Sequence, residues 1–247
     1  MIGQFIDYKN KKYNIIILAG GFGSRMGNAS EFLPKGLVKI GDKRAIDLLL
    51  QKFFLISNKI IIGTGWQSDL LENYVKGQYS NDHIIFSRED PNDLKNNAIS
   101  LMYALDNVDS RYPTLVSFCD LILLSNHVLN PNSVFVATRK TKGVTGTFRH
   151  GVKKKETGKN EIVEYKVPSK LSEVKNGILG LFTFNNTVNL KKIVYSLAHK
   201  NLLKDITTDV LKNYFENEFV DFEEVEKVIE FGTETDLEKV RQYWENE

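Results

Sequence analysis

Residues 14–26, NIIILAGGFGSRM, join a short apolar run to a turn that is rich in glycine. The run lacks the alternation of a half-exposed strand, which is typical of a strand buried on both faces of a parallel sheet. Glycines at positions 20, 21 and 23 allow positive φ angles and let several backbone N–H groups approach an anion. The segment therefore predicts a central strand followed by a loop that binds phosphate.

Around this segment, β-branched runs alternate with amphipathic segments, which is the rhythm of βαβ units. The first half of the chain predicts strands at residues 14–18, 59–63, 83–87, 114–119 and 134–138, with helices at 45–56, 69–75 and 97–105. The second half predicts shorter strands at 144–148, 161–166, 177–184 and 227–231, with helices at 190–199, 207–216 and from 235. The sequence thus predicts one α/β domain, residues 1–247: a Rossmann-like, doubly wound, mixed but mostly parallel sheet with a small lid or sheet extension.

The composition is that of an ordinary globular protein and excludes several classes of partner. The 33 basic and 31 acidic residues leave a formal charge of +2, so no broad field indicates nucleic acid or an anionic membrane as a partner. Cys119 is the single cysteine, which excludes an internal disulfide framework, and the four histidines lie too far apart for a zinc pattern. The N-terminal segment is too polar for a secretory signal and no run approaches about 18 apolar residues, so we expect a soluble, cytoplasmic protein.

The spacing of the glycine-rich turn excludes two familiar phosphate-binding motifs. A dinucleotide fingerprint counted from Gly21 would need a third glycine where the chain has Met26, and no acidic residue closes the strand at Gly63. A Walker motif would need Lys-Ser or Lys-Thr at a set distance after a glycine, and no such pair is present. Arg25 and Lys35 supply two cations just beyond the turn, which a triphosphate requires for neutralisation.

Residues 18–26, LAGGFGSRM, followed by Pro34-Lys35, resemble the signature of sugar-phosphate nucleotidyltransferases and their cytidylyltransferase relatives. The resemblance implies that the turn surrounds the phosphates of a nucleoside triphosphate and that Arg25 and Lys35 are catalytic cations. It implies nucleotide contacts from Leu18, Ala19, Gly20, Gly21, Gly23, Ser24 and Arg25, with Lys35 also on the acceptor side. The competing interpretation is an ordinary glycine-rich strand-to-helix loop with surface charges.

Asp120 comes directly after the predicted strand 114–119, so its carboxylate is expected at the carboxyl edge of the sheet, where ligands bind in open α/β folds. We expect it to hold Mg²⁺, which offsets the negative charge of two phosphates during nucleotidyl transfer. The resemblance implies a second acidic ligand on a late strand, in a slot occupied here by Glu230. The longer side chain is a departure, and some relatives place a carboxylate where this chain has Gly232. Alternatively, Asp120 caps a turn and Glu230 is a solvated strand end.

Two further segments bear on the base and the acceptor. Residues 63–66, GTGW, and 96–101, NNAISL, resemble phosphocholine cytidylyltransferases and related enzymes beside phosphonate and capsule pathways, whereas hexose-1-phosphate enzymes usually carry a Gly-Thr-Ala-Gly-like loop. The resemblance implies contacts to the nucleotide from Gly65, Asn97 and Ser100, although an asparagine here is equally expected as an ordinary helix N-cap. It also implies acceptor contacts from Lys166, Asn176 and Gly177.

The resemblance implies a magnesium-dependent nucleotidyltransferase whose residues 14–140 bind the nucleotide and whose residues 141–247 bind the acceptor. The favoured reaction transfers CMP from CTP to phosphocholine or a polyol phosphate and releases pyrophosphate. The alternatives are a sugar-1-phosphate nucleotidyltransferase using UTP, dTTP or GTP, and an inactive nucleotide-binding module. The sequence leaves open whether the N-terminal arm, with apolar residues at 2, 5, 6 and 8, packs on a second copy of the chain or on its own sheet.

Overall fold

The computed structural model describes residues 3–6, 11–21, 23, 33–79, 82–90, 92–93, 96–144, 147–154, 156, 160–170, 173 and 176–245. The strands in this part of the chain are β1 (Phe5–Ile6), β2 (Tyr13–Leu18), β3 (Lys39–Ile40), β4 (Lys43–Arg44), β5 (Ser57–Thr64), β6 (Ile84–Arg88), β7 (Thr114–Phe118), β8 (Leu121–Leu123), β9 (His127–Val128), β10 (Ser133–Ala137), β11 (Thr147–Lys154), β12 (Asn160–Lys170), β13 (Gly177–Phe184), β14 (Asp221–Glu224) and β15 (Val228–Glu230).

The α-helices in the same part are α1 (Ala45–Phe53), α2 (Ser68–Gln78), α3 (Asn97–Leu105), α4 (Thr187–His199), α5 (Lys212–Asn217) and α6 (Glu234–Glu245). Short 3₁₀ turns cover Lys35–Leu37 and Phe54–Ile56, and a π-helical turn covers Ile206–Leu211. The helix predicted at 207–216 is therefore a π turn that continues into α5. Among the described residues, no helix combines the length and the apolar character needed to cross a membrane.

The centre of the fold is a parallel block in which β7, β2, β5 and β6 lie side by side. All six residues of β2 are buried, as the apolar run predicts. Since β5 and β6 extend the sheet on one side of β2 and β7 lies on the other, the strand order reverses next to β2. Ligands of open α/β sheets bind at such a reversal, outside the carboxyl ends of the strands.

The two faces of β2 bury their side chains in two different hydrophobic clusters. Ile15 and Ile17 join one cluster with α1 and α6, whereas Ile16 and Leu18 join the other with α3 and α4. Successive side chains of a strand point to opposite faces, so a strand covered on both faces is apolar at most of its positions instead of at alternate ones. This explains the continuous apolar run and confirms the predicted α/β fold with a mixed, mostly parallel central sheet.

Antiparallel strands continue the sheet beyond β7. β13 pairs with β7, and β10, β11 and β12 extend the sheet further, with β14 beside β10. The strand predicted at 144–148 is wrong in position, because β11 begins at Thr147 and runs to Lys154 along β12. β14 is absent from the sequence prediction, because its polar residues gain their strand conformation from pairing with the buried β10.

The described part of the N-terminal arm packs on its own chain. β1 pairs in parallel with β9, and the ring of Phe5 stacks on Phe53 with 5.6 Å between centroids. The ammonium of Lys52 lies 4.5 Å from the centroid of the Phe5 ring and donates hydrogen bonds to the carbonyls of Gly3 and, at 3.2 Å, Leu123. Burial lowers the pKa of Lys52 to about 7. Residues 2 and 8 of the arm lie outside the described residues.

Candidate active site

A cavity of about 240 Å³ lies at the carboxyl ends of β2 and β7, at the point where the strand order reverses. This is the position at which open α/β sheets bind their ligands. The residues that line it are Leu18, Gly20, Gly21, Gly23, Lys35, Asn97, Ser100, Phe118, Cys119 and Asp120. The structure therefore brings together the glycine-rich turn, a cation, a carboxylate and the start of α3.

Backbone hydrogen bonds fix the beginning of the glycine-rich turn. The N–H of Ala19 donates to the carbonyl of Gly63 at 2.9 Å, and the N–H of Trp66 donates to the carbonyl of Gly20 at 3.0 Å. Gly23 has φ +62°, a left-handed conformation that glycine adopts without steric cost. The predicted contacts from Ser24 and Arg25 lie outside the described residues.

Lys35 and Asp120 form an ion pair with 2.6 Å between Nζ and Oδ2. Their side chains are only 13% and 19% exposed, so solvent screens this pair less than it screens an exposed one. Lys35 begins the 3₁₀ turn, whose Gly36 and Leu37 are buried, and the carbonyl of Asp120 accepts a hydrogen bond from the N–H of Phe231 at 3.1 Å. Both backbones are thus anchored while the two charged side chains face the cavity.

The chemistry of Asp120 suits a hard divalent cation. Mg²⁺ is commonly held by one or two carboxylates together with waters and substrate phosphates, so a single protein carboxylate beside the cavity fits this kind of donor set. Within the described residues, no group of three or more His, Cys, Asp or Glu side chains forms a complete protein cage for a metal. Glu230 is paired with Leu121, the residue after Asp120, in the antiparallel β8–β15 ladder. Glu230 is not part of the cavity lining.

The start of α3 contributes Asn97 and Ser100 to the lining of the cavity. The helix is capped by Asn96, whose Oδ1 accepts from the N–H groups of Ala98 and Ile99. Asn97 lines the cavity, but its amide donates to Asp205 at 3.0 Å and accepts from the N–H of Ile206 at 3.0 Å. The side chain of Asn97 therefore holds the π-helical turn against α3.

Ser100 and Gly65 also take part in local structure. The hydroxyl of Ser100 lines the cavity wall and donates to the carbonyl of Asn96 at 3.1 Å. The carbonyl of Gly65 accepts from the N–H of Ser68 in the turn before α2, and Gly65 is not part of the cavity lining. The nucleotide contacts expected of these residues stay predictions.

The residues predicted on the acceptor side lie at the junction of β11, β12 and β13. Asn176 is buried and its amide donates to the carbonyl of Val152 at 3.2 Å. A Cβ at Gly177 would overlap the ring of Phe148, so glycine is required there by packing. Lys166 belongs to β12, and its side chain is outside the described structure. None of the three lines the cavity, and their acceptor contacts stay predictions.

Glu89, a residue that the sequence analysis missed, lies behind the glycine-rich turn. It directly follows β6 and is 4% exposed, so its carboxyl group is largely withdrawn from water. Burial raises the pKa of Glu89 to about 7, an effect that Ser100 opposes and Asp93 reinforces. An acidic residue just after a predicted strand is the same signal that identified Asp120, and it could have identified Glu89.

Cys119 lies beside Asp120 in the cavity wall but is not suited to nucleophilic chemistry. Burial, reinforced by the charge of Asp120, raises the pKa of its thiol to about 12. The thiolate is the reactive form of cysteine, so this side chain behaves as a small apolar group at neutral pH. Cys119 is 4% exposed and lies directly after β7, in the turn that leads to Asp120.

Comparison with known proteins gives a family match over about half of the chain. The MobA-like NTP transferase domain matches residues 15–140, which span β2 to β10. The CTP:phosphoglutamine cytidylyltransferase of Campylobacter jejuni subsp. jejuni serotype O:2 is 27% identical over 118 residues, 47% of this chain and 46% of that enzyme. The chain therefore matches less than half the length of this curated relative.

Solved structures resemble the whole fold. The CTP:phosphocholine cytidylyltransferase of Streptococcus pneumoniae matches with a TM-score of 0.70 and 20% identity, covering 94% of this chain and 99% of that one. A putative glucose-1-phosphate thymidylyltransferase of Bacillus anthracis matches with a TM-score of 0.71 and 19% identity, covering 95% of this chain and 96% of that one. A UDP-glucose pyrophosphorylase matches with a TM-score of 0.70 and 16% identity, covering 96% of this chain and 100% of that one. At these identities the likeness concerns the fold.

Gly20→Ala should destabilise the protein more than Gly21→Ala. A Cβ at position 20 would overlap Oε1 of Glu89 and lie 2.8 Å from its Cδ, whereas a Cβ at position 21 meets nothing within 4 Å. Overpacking of this kind lowers the free energy of unfolding by about 1–3 kcal/mol, whereas an uncrowded surface substitution changes it by no more than about 0.5 kcal/mol. Urea unfolding measures both values, and Glu89→Ala in the Gly20→Ala background should restore part of the loss. Equal effects at the two glycines would contradict this packing.

Glu89→Gln should flatten the pH dependence of stability. Burial raises the pKa of Glu89 from its ordinary value of 4.5 to about 7 in the folded protein, so between these values the native state binds more protons than the unfolded state. This carboxyl therefore makes the free energy of unfolding fall with rising pH, by up to about 1.4 kcal/mol per pH unit. Urea titrations from pH 4 to pH 8 should show a shallower fall in Glu89→Gln and a more stable variant above pH 7. Parallel curves would contradict the assignment.

Proposed function

This chain belongs to the MobA-like NTP transferase domain family, and we propose that it is a nucleotidyltransferase that transfers CMP from CTP to a phosphorylated small alcohol. The observation that carries the proposal is the Lys35–Asp120 pair beside the glycine-rich turn, in one cavity at the switch point of the sheet. A cation, a carboxylate for a metal and a row of approachable backbone N–H groups are the parts that phosphoryl-type transfer requires.

Two observations favour CTP as the nucleotide. A curated relative at 27% identity is a CTP-dependent cytidylyltransferase, and its match covers about half of this chain. The Asn96–Leu101 segment, which resembles phosphocholine cytidylyltransferases in sequence, opens the helix whose first turn lines the cavity. The proposed acceptor is phosphocholine or a polyol phosphate, and phosphoglutamine joins the candidates because a relative of this chain is named for it.

In the proposed reaction, an oxygen of the acceptor phosphate attacks the α-phosphorus of CTP. The bond from the α-phosphorus to the bridging oxygen breaks, and that oxygen leaves with pyrophosphate. Backbone groups of the glycine-rich turn and the Lys35 ammonium bind phosphate oxygens, while Asp120 would hold Mg²⁺. When bound, the metal neutralises the negative charge that the two phosphates bring together. The transfer needs no covalent enzyme intermediate, which agrees with the inert thiol of Cys119.

The residues of the cavity all fall between positions 18 and 120, inside the half assigned to the nucleotide, residues 14–140. The acceptor is expected to enter from the antiparallel extension formed by the other half, residues 141–247. The proposal includes this assignment of the two halves to nucleotide and acceptor. It also includes Glu230 as the second metal ligand and the contacts of Ser24 and Arg25 with the nucleotide. Sugar-1-phosphate transfer with UTP, dTTP or GTP is the competing reaction, and an inactive nucleotide-binding module is the competing class.

Pyrophosphate release should occur with Mg²⁺, CTP and one member of a panel of phosphocholine, phosphoglutamine, polyol phosphates and sugar-1-phosphates. Asp120→Asn should lower the rate by about 10³-fold, because the loss of a metal carboxylate removes several kcal/mol of transition-state stabilisation. Asp221→Asn, an exposed carboxylate on β14 outside the cavity lining, is the matched control and should retain full activity.

Other results would select the alternatives. Release only with another nucleotide and a sugar-1-phosphate would replace the proposed substrates. No release from a folded sample that binds nucleotide, across the whole panel, would favour the binding module. Unchanged turnover in Asp120→Asn would remove Asp120 from the proposed metal site.

A further inference from the structure

The Lys35–Asp120 pair poses a problem for the metal site that the proposed function assigns to Asp120. The ammonium of Lys35 lies 2.6 Å from Oδ2, and both side chains are largely sheltered from water. Mg²⁺ binds a carboxylate oxygen at about 2.0–2.1 Å. An ammonium and a divalent cation on the same oxygen repel each other, and shelter from solvent weakens the screening of that repulsion. The ion pair and a bound metal are therefore in competition.

The local structure allows the ammonium to leave while the backbone stays in place. Lys35 begins a 3₁₀ turn whose next two residues are buried, and a Cβ at Gly36 would lie 3.3 Å from Leu71, so this turn is packed against α2. Lysine carries its charge on a flexible four-carbon stem, so rotation of the side chain alone separates Nζ from Asp120. Phosphate oxygens of a nucleotide in the same cavity are strong acceptors for that ammonium.

We propose that Lys35 is a displaceable counterion that keeps Asp120 from binding a divalent cation until nucleotide phosphates draw the ammonium away. The inference rests on the proposed function, since it takes Asp120 as the metal ligand. Its consequence is that nucleotide and metal bind with positive coupling, and such coupling is reciprocal. The nucleotide-free protein is then a weak binder of free divalent cations, and the site is loaded with metal only when a triphosphate is present.

The test is a Mn²⁺ titration of the nucleotide-free full chain, with free Mn²⁺ followed by electron paramagnetic resonance. Lys35→Gln should bind Mn²⁺ at least about tenfold more tightly than the wild type, within the usual range of coupling between sites. Lys35→Arg keeps the charge and should resemble the wild type. Lys153→Gln is the matched control, because Lys153 forms an ion pair with Glu161 at 3.0 Å on the β11–β12 hairpin, and it should leave the affinity unchanged.

Asp120→Asn in the Lys35→Gln background separates this inference from the proposed function. Loss of the added affinity in the double variant supports both. A second outcome is that Lys35→Gln and the wild type bind Mn²⁺ equally, and that adding Asp120→Asn to either protein weakens binding. This outcome contradicts the role of Lys35 as a counterion but supports Asp120 as a metal ligand. If Asp120→Asn leaves the Mn²⁺ affinity unchanged in every background, Asp120 is not a metal ligand, and the counterion role of Lys35 fails with it.

A second measurement uses only the wild-type protein and so does not depend on how the variants fold. Acetylation of Lys35 by acetic anhydride, followed by mass spectrometry, should be slow without metal and several-fold faster in millimolar Mn²⁺, because the metal releases the ammonium from Asp120. The rate at Lys153 is the internal reference and should not change. A Lys35 rate that is insensitive to Mn²⁺ contradicts competition between the two cations.

Discussion

The site depends on the position of β2, which lies between β5 and β7 and is buried on both faces. Because the strand order reverses there, the connecting segments diverge and leave a crevice at the carboxyl end of the strand. The N–H of Cys119 donates to the carbonyl of Leu18 at 3.1 Å, which brings the end of β7 against the start of the glycine-rich turn. The turn, Asp120 and Lys35 therefore meet at one place although Lys35 and Asp120 are 85 positions apart along the chain.

The charges around this crevice are neutralised within the protein itself. Lys35 and Asp120 offset each other, and the raised pKa of Glu89 favours its uncharged form below about pH 7. Burying an unpaired charge is costly, so the ion pair and the protonated carboxyl group each lower the electrostatic cost of placing ionisable side chains in this crevice. In the proposed function, the phosphates of a nucleotide replace Asp120 as the partner of Lys35, and this replacement would couple nucleotide binding to metal binding.

The sequence alone predicts the central sheet and the core of the site, because both follow from local patterns. An apolar run, the glycines after it and an aspartate at a strand end are readable without tertiary contacts. The start of β11 is not readable in this way, since pairing with β12 decides which polar residues are extended. The contact between Asn97 and Asp205 joins residues 108 apart, and the burial of Glu89 depends on the packing around Gly20. Both are products of the folded state.

We infer that the glycine-rich turn, Lys35 and Asp120 form one site for CTP and a divalent cation. A crystal structure with Mn²⁺ and a non-hydrolysable CTP analogue, using the anomalous signal of manganese, would locate both ligands. We expect an anomalous peak at direct coordination distance from a carboxylate oxygen of Asp120, triphosphate oxygens against the backbone of Gly20 and Gly21, and the Lys35 side chain turned from Asp120 towards phosphate. A peak away from Asp120, or an analogue bound outside this cavity, would contradict it.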